Sequence, residues 1–164
     1  MFAHRGKYPL DRPRLENSLQ AFRAAEMDDR CLGIECDVRF DRGKQDLVVC
    51  HDADLRRTHG DSVQVCERTA FDLWCQYQVP TLNMAFAACR KPVIIDFKTN
   101  AEDTPKAVKL ADELARGRPC IYLVWQPGLK FDAKLHNPLY YGVEGYVVER
   151  WPASNYDGVS MRYD

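Results

Sequence analysis

Two histidines, three carboxylates and two cations fall in four short stretches of this chain: His4-Arg5-Gly6, Glu35-Cys36-Asp37, His51-Asp52 and Asp96-Phe97-Lys98. That set is what cleaving a phosphodiester around a divalent cation requires. Strand residues at i and i+2 share a face, so Glu35 and Asp37 project to one side and Cys36 to the other. Asp96 and Lys98 repeat that geometry on a later run, with Ile95 and Phe97 opposite. Two acids facing a third repel unless a cation lies among them. An all-oxygen donor set selects one hard ion, Mg2+ or Ca2+, over zinc. Alone, Glu-x-Asp on a strand is an ordinary solvated face; flanked by His51-Asp52 and Asp-x-Lys, it gains a role.

His4 and His51 each close a strand-like run. Histidine titrates near neutrality, so a pair can supply a general base and a general acid across one phosphorus. Arg5 and Lys98 suit phosphate oxygens, where they would stabilise charge in a pentacoordinate transition state. The same cations can form salt bridges to Glu35, Asp37 or Asp96, and the two roles coexist. His59 and His136 are read as structural and carry no role.

The elements that must hold these groups alternate. Strands are expected at Phe2–Arg5, Gly33–Phe40, Leu47–His51, Pro92–Lys98, Cys120–Trp125, Gly145–Arg150 and Gly158–Tyr163. The best helix runs from about Ser18 to Asp28, with Asn17 as N-cap and Gln20 three residues on. Thr69 with Asp72 caps a second helix to about Tyr77, and Thr81 to Cys89 forms another. Thr104-Pro105 opens a helix to about Arg116, with Gly117 just past its end. Such βα units imply an α/β fold with a largely parallel sheet, whose closed form is a (β/α) barrel. Barrels of this kind typically take ~250 residues, and this chain has 164. A single domain over 1–164 is expected, with about seven strands and the last helix and strand of the barrel missing.

Composition narrows the class. Hydrophobic residues make up 46% and charged residues 29%, as in an ordinary globular protein. A formal net charge of −1 gives no basic field for nucleic acid or an anionic membrane. No apolar run approaches the ~20 residues of a membrane span, and Met1-Phe2-Ala3 leaves no room for a signal peptide before His4. The seven cysteines are odd in number, scattered and free of any Cys-x-x-Cys pair. That pattern argues against a disulfide framework or a thiolate zinc site and for a reducing cytoplasm.

His-Arg-Gly, then Glu16-Asn-Ser-Leu-Gln-Ala-Phe-Arg-Ala-Ala, then Gly33-Ile-Glu-Cys-Asp-Val-Arg-Phe, then Leu47-Val-Val-Cys-His-Asp-Ala-Asp-Leu-Arg-Arg-Thr resembles the front half of a glycerophosphodiester phosphodiesterase. Order and spacing hold from His4 to Thr58. Pro80-Thr81-Leu82 and Val93-Ile-Ile-Asp-Phe-Lys-Thr are similar to the next landmarks, and the resemblance thins after about residue 99. It implies a TIM-type barrel in which Glu35, Asp37 and Asp96 bind a divalent cation. His4 and His51 would then do acid–base work, and Arg5 and Lys98 would hold the phosphate of a glycerophosphodiester such as glycerophosphocholine. Three departures stand out. Asp96 replaces the family's usual Glu, and Asp-x-Lys-Thr is similar to the sphingomyelinase D-type branch, so a lysophospholipase D or sphingomyelinase D-type activity is the alternative. Leu15 stands where Pro is common before Glu-Asn, and Glu16 either lines the site or, as preferred here, favours a helix N-terminus. The stop at Asp164 leaves a third reading, a ligand-binding relative without turnover. It also predicts a homodimer covering open edges near the N-terminal strand and Gly158–Tyr163.

Overall fold

The structure is a computed structural model that describes residues 2–126, 135, 139–143 and 146–151. Its strands are β1 (Phe2–Ala3), β2 (Gly33–Phe40), β3 (Leu47–Val49), β4 (Val93–Phe97), β5 (Cys120–Val124), β6 (Leu139–Val143) and β7 (Tyr146–Trp151). They form one sheet in the order β1-β2-β4-β5-β6-β7, with β3 attached to β2. Neighbours from β1 to β6 along that path run parallel, whereas β3 on β2 and β7 on β6 are antiparallel. The α/β architecture of the barrel type is as expected.

Alternation along the strands sorts the two faces. Ile34, Cys36, Val38 and Phe40 of β2 join Val93, Ile95 and Phe97 of β4 and Cys120, Tyr122 and Val124 of β5 in the main core. The helices α1 (Leu19–Glu26), α4 (Leu82–Ala88) and α5 (Thr104–Ala115) pack there through Phe22, Ala25, Leu82, Ala85, Val108 and Ala111. On the opposite face Ile94 and Leu123 cluster with Phe2 and Ile121. Register places Asp37 beside Asp96, one layer beyond Glu35 and Ile94. The acids therefore sit at the C-terminal end of the inward face, above an apolar plug.

Capping follows the sequence at Thr69 and Thr81, whose hydroxyls accept from Asp72 and Met84 at the starts of α3 (Ala70–Tyr77) and α4. Helix α5 has Pro105 in its first turn and ends at Arg116 and Gly117, both left-handed. At α1 the cap is Ser18, accepting from the Ala21 N–H, and not Asn17. Asn17 adopts φ 54 and turns its amide elsewhere.

Two differences concern strands. The Leu47–His51 run is the return arm of a hairpin, with Val38 opposite Val49 and Phe40 opposite Leu47. The short stretch 41–46 cannot hold the crossover that a parallel neighbour needs. The excursion from that hairpin to α3 has its own small core of Val48, Leu55, Val65, Leu73 and Val79. Strand β6 was not anticipated, and Gly158–Tyr163 and His136 lie outside the described residues.

Candidate active site

Glu35 and Asp37 on β2 and Asp96 on β4 converge with carboxylate oxygens within 4.8 Å of one another. All three are buried, at 3%, 1% and 3% exposure. Glu35 Oε2 accepts from the Arg5 backbone N–H at 2.9 Å, while Glu35 Oε1 is buried with no hydrogen-bond partner among the described residues. A buried carboxylate oxygen without a donor is costly. Burial first, then the Asp37 charge, pushes the Glu35 carboxyl well above the usual carboxylate range. Burial also raises Asp96, and Lys98 only partly offsets it. The donor set is all oxygen, its charges repel, and one oxygen lacks a donor: these residues fit a hard divalent cation.

Both cations predicted for phosphate lie against the acids. Lys98 Nζ is 2.8 Å from Asp96 Oδ2 and 3.4 Å from Asp37 Oδ1, 5.3 Å from the centre of the Trp125 ring. The Trp125 indole N–H donates to Asp96 Oδ1 at 2.6 Å. Arg5 stands two positions past the end of β1 and takes a left-handed φ of 56, with Gly6 at φ 86. A Cβ at Gly6 would lie 2.7 Å from the Ala21 Cβ, so that turn requires glycine. It aims the Arg5 N–H at Glu35 and brings Arg5 Nε to 3.2 Å from Asp37 Oδ2.

Asn17 completes the acids' surroundings. Its amide donates to Asp37 Oδ2 at 2.9 Å, and its carbonyl oxygen accepts from the Asp37 N–H at 3.3 Å, both buried. Glu16 is buried too, at 8% exposure. It does not cap a helix: both its oxygens accept from Arg5 at 3.2 and 3.3 Å, and Arg57 forks onto them from the other side. Burial would raise the Glu16 carboxyl, but Arg57 and Arg5 together outweigh it and hold it below its ordinary value.

The histidines flank this cluster. His4 Nε2 lies 3.9 Å from Glu35 Oε2 and its side chain is half exposed. Partial burial and then the Arg5 charge lower its pKa, favouring the neutral ring. His51 follows β3, and the hairpin returns it to the end of β2, where the Cys50 N–H donates to the Asp37 carbonyl. His51 Nδ1 is 2.7 Å from Asp52 Oδ1, and Asp52 Oδ2 accepts from Arg57 Nε at 2.7 Å. Arg39 donates to the His51 carbonyl through Nε and Nη2 and to the Lys98 carbonyl through Nη1.

Every candidate from the sequence thus lies in one neighbourhood: His4, Arg5, Glu16, Glu35, Asp37, His51, Asp96 and Lys98. Sequence reasoning missed Asn17, Arg39, Arg57 and Trp125, and gave Asp52 no role of its own. Arg39 had a legible signal, since it shares a face with Glu35 and Asp37 at i+2 and i+4. The others arrive from separate segments. A cavity of about 470 Å3 adjoins the site. Glu16, Asn17 and His51 are in its wall, and Leu15, Leu19, Val49, Trp74, Val79 and Pro80 make it largely apolar.

Solved structures of other proteins resemble this chain over 77% of its length. A glycerophosphodiester phosphodiesterase from Thermotoga maritima is similar at 27% identity and a TM-score of 0.57, over 77% of this chain and 62% of that one. A phosphodiesterase from Oleispira antarctica, solved with the product sn-glycerol-3-phosphate, is 19% identical with a TM-score of 0.63, covering 77% and 57%. A glycerophosphodiester phosphodiesterase from Parabacteroides distasonis is 22% identical with a TM-score of 0.57, covering 77% and 56%. The latter two share the fold. The chain therefore spans 56–62% of the length of these three structures. No curated protein matches the chain. The model of the Glycerophosphoryl diester phosphodiesterase family matches residues 3–137, which take in every side chain of this site, and the chain belongs to that family.

Proposed function

We propose that this site hydrolyses a glycerophosphodiester to an alcohol and glycerol phosphate. The observation that carries this reading is the buried Glu35–Asp37–Asp96 cluster, with an oxygen that has no donor among the described residues, set between Arg5, Lys98 and two histidines. A divalent cation bound by the three carboxylates, Mg2+ or Ca2+, would supply Lewis-acid polarisation of the phosphate and offset their repulsion. Arg5 and Lys98 hold the phosphate oxygens and stabilise charge on the equatorial positions. Either a water attacks phosphorus as the P–O bond to the head-group alcohol breaks, giving glycerol phosphate directly, or an adjacent glycerol hydroxyl attacks as that bond breaks and the cyclic phosphate so formed is then opened by water. One histidine takes the nucleophile's proton and the other protonates the departing alkoxide.

The test is a phosphodiesterase assay across head groups with titration of each metal. His4→Ala and His51→Ala are each expected to lose at least ~10²-fold in rate. An activated leaving group, such as a nitrophenyl diester, should restore only the variant that lacks the acid, which assigns the two roles. No release of glycerol phosphate by wild-type protein in Mg2+ or Ca2+ would sink the reading. Binding of metal and diester by calorimetry with no turnover would support a ligand-binding relative instead.

The apolar cavity beside His51 favours a second reading, a lysophospholipase D or sphingomyelinase D-type enzyme whose substrate places a chain there. Asp96-Phe97-Lys98-Thr99 supports it too. A panel pairing deacylated diesters with lysophospholipids separates the two by which member is preferred. Among the described residues no helix is long and apolar enough to cross a membrane. The seven free cysteines support a reducing cytoplasm as the compartment.

A further inference from the structure

Five charged or titratable side chains from four segments form a continuous run: Arg5, Glu16, Arg57, Asp52 and His51. Arg57 is its centre. Its Nε donates to Asp52 Oδ2 at 2.7 Å while Nη1 and Nη2 donate to the two oxygens of Glu16 at 2.8 and 2.5 Å. The second oxygen of Asp52 faces His51 Nδ1 at 2.7 Å, and both Glu16 oxygens also accept from Arg5. Arg57 stands on α2 (Arg56–His59), a single turn closed by Gly60 at φ 74.

We propose that Arg57 is a positioning residue, which holds Asp52 against His51 and, through Glu16, ties the acid–base group to the phosphate-binding Arg5. Its effect on rate rests on the hydrolase reading above. The chemistry of Asp52 sets the direction. Partial burial would raise its carboxyl, but the hydrogen bonds from His51 and Arg57 outweigh that and keep it below its ordinary value. An ionised carboxylate only accepts, so His51 Nδ1 carries the hydrogen and Nε2 is the nitrogen left to exchange a proton. A planar guanidinium satisfies two carboxylates at once; the single ammonium of a lysine cannot reproduce that fork. The plain alternative is an exposed salt bridge, since the Arg57 side chain is 43% accessible. Such pairs contribute little, and their loss leaves reactivity alone.

Nitrogen NMR of His51 and steady-state kinetics on the full chain decide between these. Wild type is expected to show the Nδ1–H tautomer, and Arg57→Ala a mixture of tautomers. In Arg57→Ala, kcat should fall about 10²-fold, the scale of a small misplacement of a reacting group, with KM little changed. Added guanidinium should restore part of that loss where sodium at equal ionic strength does not. A folded Arg57→Ala with wild-type tautomer and kcat overturns the proposal. Should Arg57→Ala lose its cooperative melt, Asp52→Asn keeps the Arg57–Glu16 pair and carries the same test: an unchanged His51 tautomer there overturns the proposal as well. Loss of the tautomer in Arg57→Ala, in a protein that turns over no phosphodiester, supports the positioning role and overturns the hydrolase reading, so the two failures are distinguishable.

Discussion

Asn17 joins the segment before α1 to a carboxylate 20 positions away, through two buried hydrogen bonds to Asp37. Hydrogen bonds to a charged group contribute more than neutral ones, and Asn17→Ala should lower stability by about 1.5–3 kcal/mol. Thermal or urea unfolding of the variant checks this, and a change under ~0.5 kcal/mol would show that water replaces the amide without loss. The sequence alone favours Asn17 as a helix cap, because asparagine and serine serve that position about equally. What decides between Asn17 and Ser18 is the partner waiting at Asp37, which no local pattern contains. The preference for Glu16 at a helix N-terminus over the site wall rests on the same local view: an acid ahead of a helix suits the dipole, yet here Arg5 and Arg57 claim both its oxygens. Glu35 with Asp37, and Asp96 with Lys98, share a face by the period of two, since strand geometry fixes facing within a strand without tertiary help.

At the scale of elements, the β2–β3 hairpin brings His51 to the acids, and Arg39 fixes its end. The guanidinium binds the His51 and Lys98 carbonyls, which lie on segments 47 positions apart in the chain that follow β3 and β4, the strands on either side of β2. Arg39→Met keeps the aliphatic stem and removes those bonds. Stability should fall by about 2 kcal/mol, and kcat should fall at least tenfold because both His51 and Lys98 lose their anchor. Hydrogen exchange should quicken around 50–53 and 98–100 in that variant; unchanged exchange and rate would deny Arg39 this function. Reading Leu47–His51 as a barrel strand had the right secondary structure and the wrong pairing. The composition of an antiparallel return arm and of a parallel strand is the same, and only the length of the link at 41–46 separates them. The helices were legible because their signals are local: Thr69, Thr81, Pro105 and the Arg116-Gly117 end each act within a few residues. Strand β6 escaped because Gly142 interrupts a short run that gains its order from pairing with β5 and β7.

For the molecule as a whole, the buried acids should couple stability to pH and to the proposed cation. Glu16 and Asp52 have depressed pKa values, so their contribution is present above ordinary values of 4.5 and 3.8 and is lost as pH falls through the lower, folded-state values. Glu35 and Asp96 are raised, so theirs is present below 4.5 and 3.8 and is lost as pH rises through the folded-state values. The metal-free chain should therefore be most stable in mild acid. Mg2+ or Ca2+ competes with those protons and should raise Tm more at pH 7.5 than at pH 5. Melts in chelator and in each metal at both values check this, and Glu35→Gln should abolish the metal-dependent shift. Equal shifts at both values would mean that the cation binds elsewhere. Among the described strands β1 pairs with β2 alone, and we propose that a second copy covers that edge; sedimentation at micromolar concentration should show a dimer, and a clean monomer would exclude it.

What the amino-acid order determined by itself was local and periodic. It set the alternation that gives Glu35 and Asp37, and Asp96 and Lys98, a shared face, the caps of α3 and α4 and the end of α5, and the motif order that the family match over residues 3–137 bears out. The tertiary structure decided which charges meet. Parallel register laid Asp37 beside Asp96, the hairpin returned His51 to them, and Glu16, Asn17, Arg39 and Arg57 were drawn in from segments with no sequence periodicity in common. Ion pairs and hydrogen bonds depend on separation in space to within an ångström. A chain's pattern specifies the face on which a residue stands, and only the packed fold specifies the distance to its partner.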